Sequence, residues 1–228
     1  MPADRLRSSD DISTDDLFLA WIRGWALTRE VAPPLPHGDG FRIEVGLPTQ
    51  AARYVFRRPS PTLRALGETV TQPWVYLKAC ATSDELRSQL PAHWRIDDQH
   101  WLMACDARPF PGGGALPDGY ALEIDDGAGS GRAHVRIVDA HGTAAATGHL
   151  ALDARFAIYD RIVTDPAHQR RGLGRAVMHA LQALAHAHGR DAGALVATDV
   201  GRALYESLGW RLHAPWATAV IPAPEAVA

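Results

Sequence analysis

The stretch TDPAHQRRGLGRAVM, residues 164–178, sets a glutamine, three arginines and two glycines ahead of an apolar helical repeat. Glycine inside a helix costs about 1 kcal/mol relative to alanine, so Gly172 and Gly174 point to a use for bare backbone. Leu173, Val177, Leu181 and Leu184 share one face of a helix expected over 171–188, and that face should pack on a sheet. The first amides of such a helix lack intrahelical partners and carry the positive end of its dipole, which makes a seat for a phosphate. Arg170, Arg171 and Arg175 add charge around the same point.

Spacing separates the phosphate loops this could be. GxxxxGK[ST] is absent, which argues against a nucleoside triphosphate site. The dinucleotide pattern GxGxxG would need glycine or alanine at 177, where valine stands, and a tight strand-to-helix turn where VTDPAHQRR intervenes. Asp191 lies at a suitable distance downstream, but HGRDAG reads as a loop. What remains is QxxGxG, formed by Gln169, Gly172 and Gly174 after the strand DRIVT.

The elements that must position this loop follow from periodicity. Strands are expected near 120–125, 132–139, 143–151 and 155–164, joined by short Gly/Asp turns, then the 171–188 helix, a strand at ALVAT, a helix through RALYESL and two short strands. Upstream, residues 12–30 show helical spacing at Leu17, Trp21 and Trp25, with Asp10 or Ser13 as N-cap. FRIEV, ARYVF, WVYLKAC and Trp101 to Ala104 read as strands. Thr82 and Glu85 form a capping box for a short helix, SDELRSQL, closed by Pro91. RPFPGGGALPDG, residues 108–119, breaks all periodicity and reads as a boundary or a mobile loop. The chain is therefore divided into an N-terminal α/β part, 1–110, and a second domain, 117–228. An internal echo links CATSDELRSQLPAHWRI (80–96) to VATDVGRALYESLGWRL (196–212), which suggests a duplicated half-domain.

Composition bounds the partners. The 228 residues are 46% hydrophobic and 21% charged with a net charge of −3, and no basic block marks a nucleic-acid footprint. Cys80 and Cys105 are the only cysteines, too few for a disulfide framework and lacking zinc-site spacing. MPADRLRSSDD has no secretory pattern, and no run reaches the roughly 18 apolar residues of a membrane span. A cytoplasmic protein without a metal, a membrane or a nucleic acid as partner is expected, with a homodimer as an allowed state.

QxxGxG with its preceding strand resembles the pyrophosphate motif of the GCN5-related N-acetyltransferases (GNAT family). LVATDVGRALYESLGW is similar to that family's closing signature, and the two together span roughly residues 120–221. The resemblance implies an α/β (α+β) fold with a mixed, largely antiparallel central sheet flanked by helices, extended by an N-terminal α/β part or degenerate half. It implies acetyl-coenzyme A (acetyl-CoA) as co-substrate and no metal. The strand Ile162, Val163 and Thr164 would pair with the pantetheine amides, and Gln169, Arg170, Arg171, Gly172, Leu173, Gly174 and Arg175 would cradle the diphosphate. Thr198 stands where asparagine is common, and Gly201 where alanine is common. Tyr205 falls at the position of the acid that protonates the departing thiolate.

The implied reaction is direct attack of an amine, expected to belong to a small-molecule acceptor, on the thioester. A sensor without turnover and a protein-modifying acetyltransferase are the alternatives. Asp160 alternates in phase with Ile158 and Ile162 and is read either as the general base or as an arginine's ion-pair partner. Glu123 and His149 are weaker candidates for the base. His179, His186 and His188 do not share a helix face and read as solvated. The seven tryptophans either fill the core or line an acceptor pocket. Gly112–Gly114 reads as the hinge of a lid over the substrate or as an inert linker. The family inserts two helices between its first two strands; here DDGAGSG alone separates 120–125 from 132–139, so those helices come from the N-terminal half or the strand count is off by one.

Overall fold

A computed structural model describes residues 12–106 and 108–223. Helix α1, Thr14–Thr28, is capped by Ser13, whose Oγ accepts from the Asp16 amide at 3.0 Å; Asp10 lies outside the described residues. Strands β1 (Leu35–His37), β2 (Gly40–Leu47) and β3 (Gln50–Phe56) lead to helix α2, Pro61–Thr69, which the sequence reading did not anticipate. Strand β4, Val75–Ala79, is followed by α3, Ser83–Arg87, with the expected Thr82/Glu85 capping box. That helix ends before Pro91, whose carbonyl accepts from the Arg87 guanidinium. Short β5 (Arg95–Ile96) and β6 (His100–Cys105) complete the first part.

The second part runs β7 (Tyr120–Asp125), β8 (Arg132–Asp139), β9 (Ala144–Leu152), β10 (Phe156–Thr164), α4 (Leu173–Ala187), β11 (Ala192–Thr198), α5 (Asp199–Ser207) and β12 (Arg211–Val220). The two short terminal strands expected from sequence are one strand. Pro215 does not break it: the neighbouring ladder bends by a register shift between Leu212 and Ala214.

All strands join one sheet in the order β1-β2-β3-β4-β12-β6-β11-β10-β9-β8-β7, with β5 on β12. The centre is interleaved. Parallel β3 and β4 are followed by β12 from the far end of the chain, whereas parallel β10 and β11 are followed by β6 from the first part. β6 and β12 pair with each other, so each part completes its sheet with a strand of the other.

Among the described residues, helix α1 alone covers one face. Its Leu17, Phe18, Trp21, Ile22 and Trp25 pack with Val55, Leu102, Ala151, Ile158, Ala194 and Trp216. A Cβ at Gly24 would overlap the Ile158 side chain, so glycine there lets α1 seat directly on β10. The N-terminal part thus supplies the cover over this face of the second part's strands. The opposite face carries α2 and α3 over Tyr54, Phe56 and Leu77, and α4 and α5 over Val135, Ile137, Leu150 and Tyr159. Trp21, Trp25, Trp94, Trp210 and Trp216 are buried, which makes them core and not an open aromatic pocket.

The 108–119 segment is strapped across α4. Gln182, buried, accepts from the Phe110 amide at 2.9 Å and donates to the Arg108 carbonyl at 2.9 Å. Arg175 donates to the Pro111 carbonyl at 2.9 Å, and Gly114 sits against His179. The glycine run therefore lies along the back of the helix and is not a lid hinge. His179, expected in solvent, is half-buried and packs edge-on against Phe110.

Candidate active site

Strands β10 and β11 pair only at Phe156↔Ala192, Ala157↔Gly193 and Ile158↔Ala194. Beyond that point β11 continues along β6 to Thr198↔His100, while β10 stays with β9. The two strands part like a fork, leaving the β10 edge without a partner on that side from Tyr159 onward. A cavity of ≈ 680 Å³ opens in the fork, walled by Tyr159–Thr164 on one side and by Leu195, Val196 and Thr198 on the other.

Helix α4 begins at the head of this cavity. Its N-cap, Gly172, has φ 82°, a left-handed conformation that glycine adopts without strain, and no side chain caps the helix. The first intrahelical bond runs from the Ala176 amide to the Gly172 carbonyl, so the amides of Leu173, Gly174 and Arg175 remain free for an external acceptor. Gln169, Arg170, Gly172, Leu173, Gly174 and Arg175 all line the cavity, as do Ile162, Val163, Thr164, Thr198 and Tyr205. Arg171 departs from the sequence grouping. Its guanidinium turns outward to the Tyr120 hydroxyl at 2.9 Å and the Ala167 carbonyl at 3.2 Å. Thr198 spends its hydroxyl as the N-cap of α5, accepting from the Gly201 amide at 3.1 Å.

Tyr205 projects from α5 and is buried against Trp210. No described group hydrogen-bonds its hydroxyl. Burial, with a contribution from the negative charge of Asp160, pushes the phenol up to about 12. It is therefore a protonated donor at any working pH.

Asp160 is held in an ion pair. Its Oδ2 accepts from Arg29 Nε and Thr28 Oγ1, both at 2.8 Å, and its Oδ1 accepts from Arg29 Nη2 at 3.3 Å. Burial raises the carboxyl, but the Arg29 hydrogen bonds and charge, with Thr28, outweigh it and hold the group below its ordinary value. The strand phase also differs from the simple alternation. A register shift after Asp160, with Arg161 at φ 51°, turns Ile162 toward α4, while Ile158 faces α1. Nothing in the residue types signals this bulge.

The other base candidates lie outside the cavity. Glu123 pairs with Arg136 at 3.1 Å. His149 stacks on His134 at 4.2 Å, and burial, with the Arg161 and His134 charges, pushes it down to about 4. Sequence reasoning missed Val200 and Leu204, which wall the cavity from α5, and Thr28 and Arg29, which reach Asp160 from 131 or more residues away. Val200 and Leu204 share a helix face at i, i+4 spacing, a signal that could have found them together; no local signal marks Arg29. Among the described residues no cluster of metal-ligating groups occurs, and no described helix is long and apolar enough to cross a membrane.

Fold and cleft together define a protein of mixed α/β architecture with an open cleft between two splayed parallel strands. Residues 123–212 match the family model described as the acetyltransferase (GNAT) domain. The fold is similar to a GCN5-related N-acetyltransferase from Kribbella flavida (TM-score 0.64, 16% identity, 88% of this chain and 93% of that one). It is also similar to a functionally unknown conserved protein from Staphylococcus epidermidis (TM-score 0.62, 10% identity, 94% and 99%). A third is a tandem GNAT protein from the clavulanic acid biosynthesis pathway (TM-score 0.56, 16% identity, 97% and 98%). At these identities the likeness speaks of fold alone. No curated protein matches by sequence.

Proposed function

We propose that the chain binds acetyl-CoA in the β10/β11 fork and transfers the acetyl group to an amine. The observation that carries this reading is the coincidence of an unpaired strand edge with an uncapped helix N-terminus at one cavity. The residues fit such a group. Free amides at 173–175, with Arg170 beside them, suit a diphosphate, and the backbone of Ile162–Thr164 offers an edge for an amide-bearing arm.

The co-substrate supplies an activated acyl thioester; the chain supplies position and a proton. Tyr205 holds its proton at Oη for the departing sulfur, and its raised pKa keeps that proton in place until negative charge develops. The cavity lining contains no histidine, and its one carboxylate is locked by Arg29. The attacking amine therefore arrives neutral or yields its proton to water in the open cleft, and turnover should climb with pH toward the amine's own pKa.

The N-terminal part is read as a second half on the same plan, without a cofactor seat of its own. Thr82 and Thr198 each cap the helix after the second strand of a parallel pair, and Trp94 and Trp210 are each buried beyond it. At the start of α2, however, the Ser60 hydroxyl accepts from the Leu63 amide and Pro61 replaces a donor, which closes the place equivalent to Gly172.

Acetyl-CoA should raise the melting temperature through ligand linkage. Gly174→Glu should abolish that rise. A Cβ at 174 meets only the Leu204 side-chain tip at 3.2 Å and Thr164 Oγ1 at 3.6 Å, so the carboxylate has room to occupy the anion's place. A wild-type protein that shows no shift at saturating acetyl-CoA refutes the reading.

A further inference from the structure

The cation cluster beside Asp160 is larger than the ion pair requires. Arg53, on β3, is 5% exposed. Its Nε is buried without a hydrogen-bond partner, and no described carboxylate pairs with it. Its guanidinium lies 3.3 Å from the centre of the Trp25 ring, with Arg29 at 5.3 Å from the same ring. Next to it on the sheet, half-buried Lys78 spends its Nζ on the Thr218 hydroxyl at 2.8 Å. Lys78 is the only lysine in the sequence. Burial and the Arg29 charge push Arg53 down to about 9, and burial with the Arg53 charge pushes Lys78 well below the usual ammonium range. Asp160 is already committed to Arg29 and Thr28, and Asp97 pairs with Arg95 at 3.3 Å. Arg53 is thus desolvated with no carboxylate paired to it among the described residues, an arrangement that folding alone disfavours.

The cluster adjoins the reaction centre. Asp160 lines the cleft and holds Arg29 at 2.8 Å, and Arg29 and Arg53 both lie against the Trp25 ring. The α1 side of the fork, away from α4, is where an acceptor would enter. Resting on the acyl-transfer reading above, we infer that the acceptor is an amine that also carries an anionic group, a carboxylate or a phosphate, seated on the buried Arg53 with Lys78 beside it. A guanidinium fork matches either oxyanion. The anion supplies the partner that no described carboxylate gives Arg53, and the amine at its other end is directed toward the Tyr205 side of the cleft.

The test uses the full chain, with acetyl-CoA affinity measured by calorimetry and thiol release followed for matched acceptors. Short amino carboxylates are compared with their amides, and O-phosphoethanolamine with ethanolamine; the two series tell which oxyanion is taken. At least one anionic series should exceed its neutral counterpart in kcat/KM by about 100-fold or more, the scale of losing one partner of a buried charge pair. Arg53→Met should raise KM for the anionic acceptor by a similar factor, leave acetyl-CoA affinity unchanged, and raise Tm, because an unmatched buried charge is gone. Lys78→Met, the second variant, should shift KM in the same direction. Neutral acceptors used equally well, an unchanged KM in both variants, or acetyl-CoA binding with no anionic amine turned over would each overturn the inference. A fall in Tm for Arg53→Met would assign the residue to packing and overturn it too. Failure of acetyl-CoA to bind at all is a separate result, and it removes the acyl-transfer reading together with the acceptor.

Discussion

Replacing Asp160 by asparagine separates a structural carboxylate from a catalytic one. The side chain is 13% exposed and holds Arg29 through two oxygens, while Arg29 is 35% exposed. Removing one partner of a fully buried pair costs about 3–5 kcal/mol. Water reaches the Arg29 side and asparagine keeps an acceptor for Thr28 Oγ1, so about 2 kcal/mol is expected here. For a chain of this size each kcal/mol moves Tm by about 2–4 °C, which gives a drop of about 4–8 °C. Thermal denaturation followed by circular dichroism would measure it. The same substitution removes a negative charge that raises Tyr205, so the phenol should titrate lower in the variant. An unchanged Tm with turnover lost across the pH range would show that Asp160 acts on protons, and the ion-pair argument would be wrong.

Tyr205→Phe should lower kcat while acetyl-CoA affinity stays constant, as measured by thiol release and calorimetry; an undiminished rate removes Tyr205 from the proton transfer. Gln182→Leu strands the buried Phe110 amide and the Arg108 carbonyl, and should cost about 1–3 kcal/mol in denaturant unfolding. A neutral result there would mean that the 108–119 strap is not held by Gln182. His149 is pushed from 6.5 down to about 4 in the folded chain, so the unfolded state binds more protons between those values. Stability should therefore fall as pH drops through that window, and His149→Gln should flatten the slope in urea titrations; equal slopes would contradict the assignment.

The loop and helix that head the cleft were legible because their signals are local. Gly172 and Gly174 ahead of an apolar face fix a helix start within a few residues, and the alternation of 120–164 fixes the strands that carry it. What escaped depends on distance or on backbone detail. The phase of Ile162 turns on a bulge at Arg161, and arginine gives no hint of a positive φ. Helix α2 escaped because PTLRALGET buries only Leu63 and Gly67, too little to register as a stripe. The Arg29–Asp160 pair joins residues 131 apart, and only the seating of α1 on β10 brings them together. The capping box at Thr82, by contrast, needs four consecutive residues and appears as read.

The exchange of β6 and β12 across the middle of the sheet bears on how this protein can be handled. A truncation that begins after the glycine-rich strap would take β6 away, stripping β11 and β12 of the ladder between them. Two long, apolar edges would then face solvent, the kind of surface on which strands of other molecules add and fibrils grow. Fragments made to isolate the second half should precipitate more readily than the whole chain.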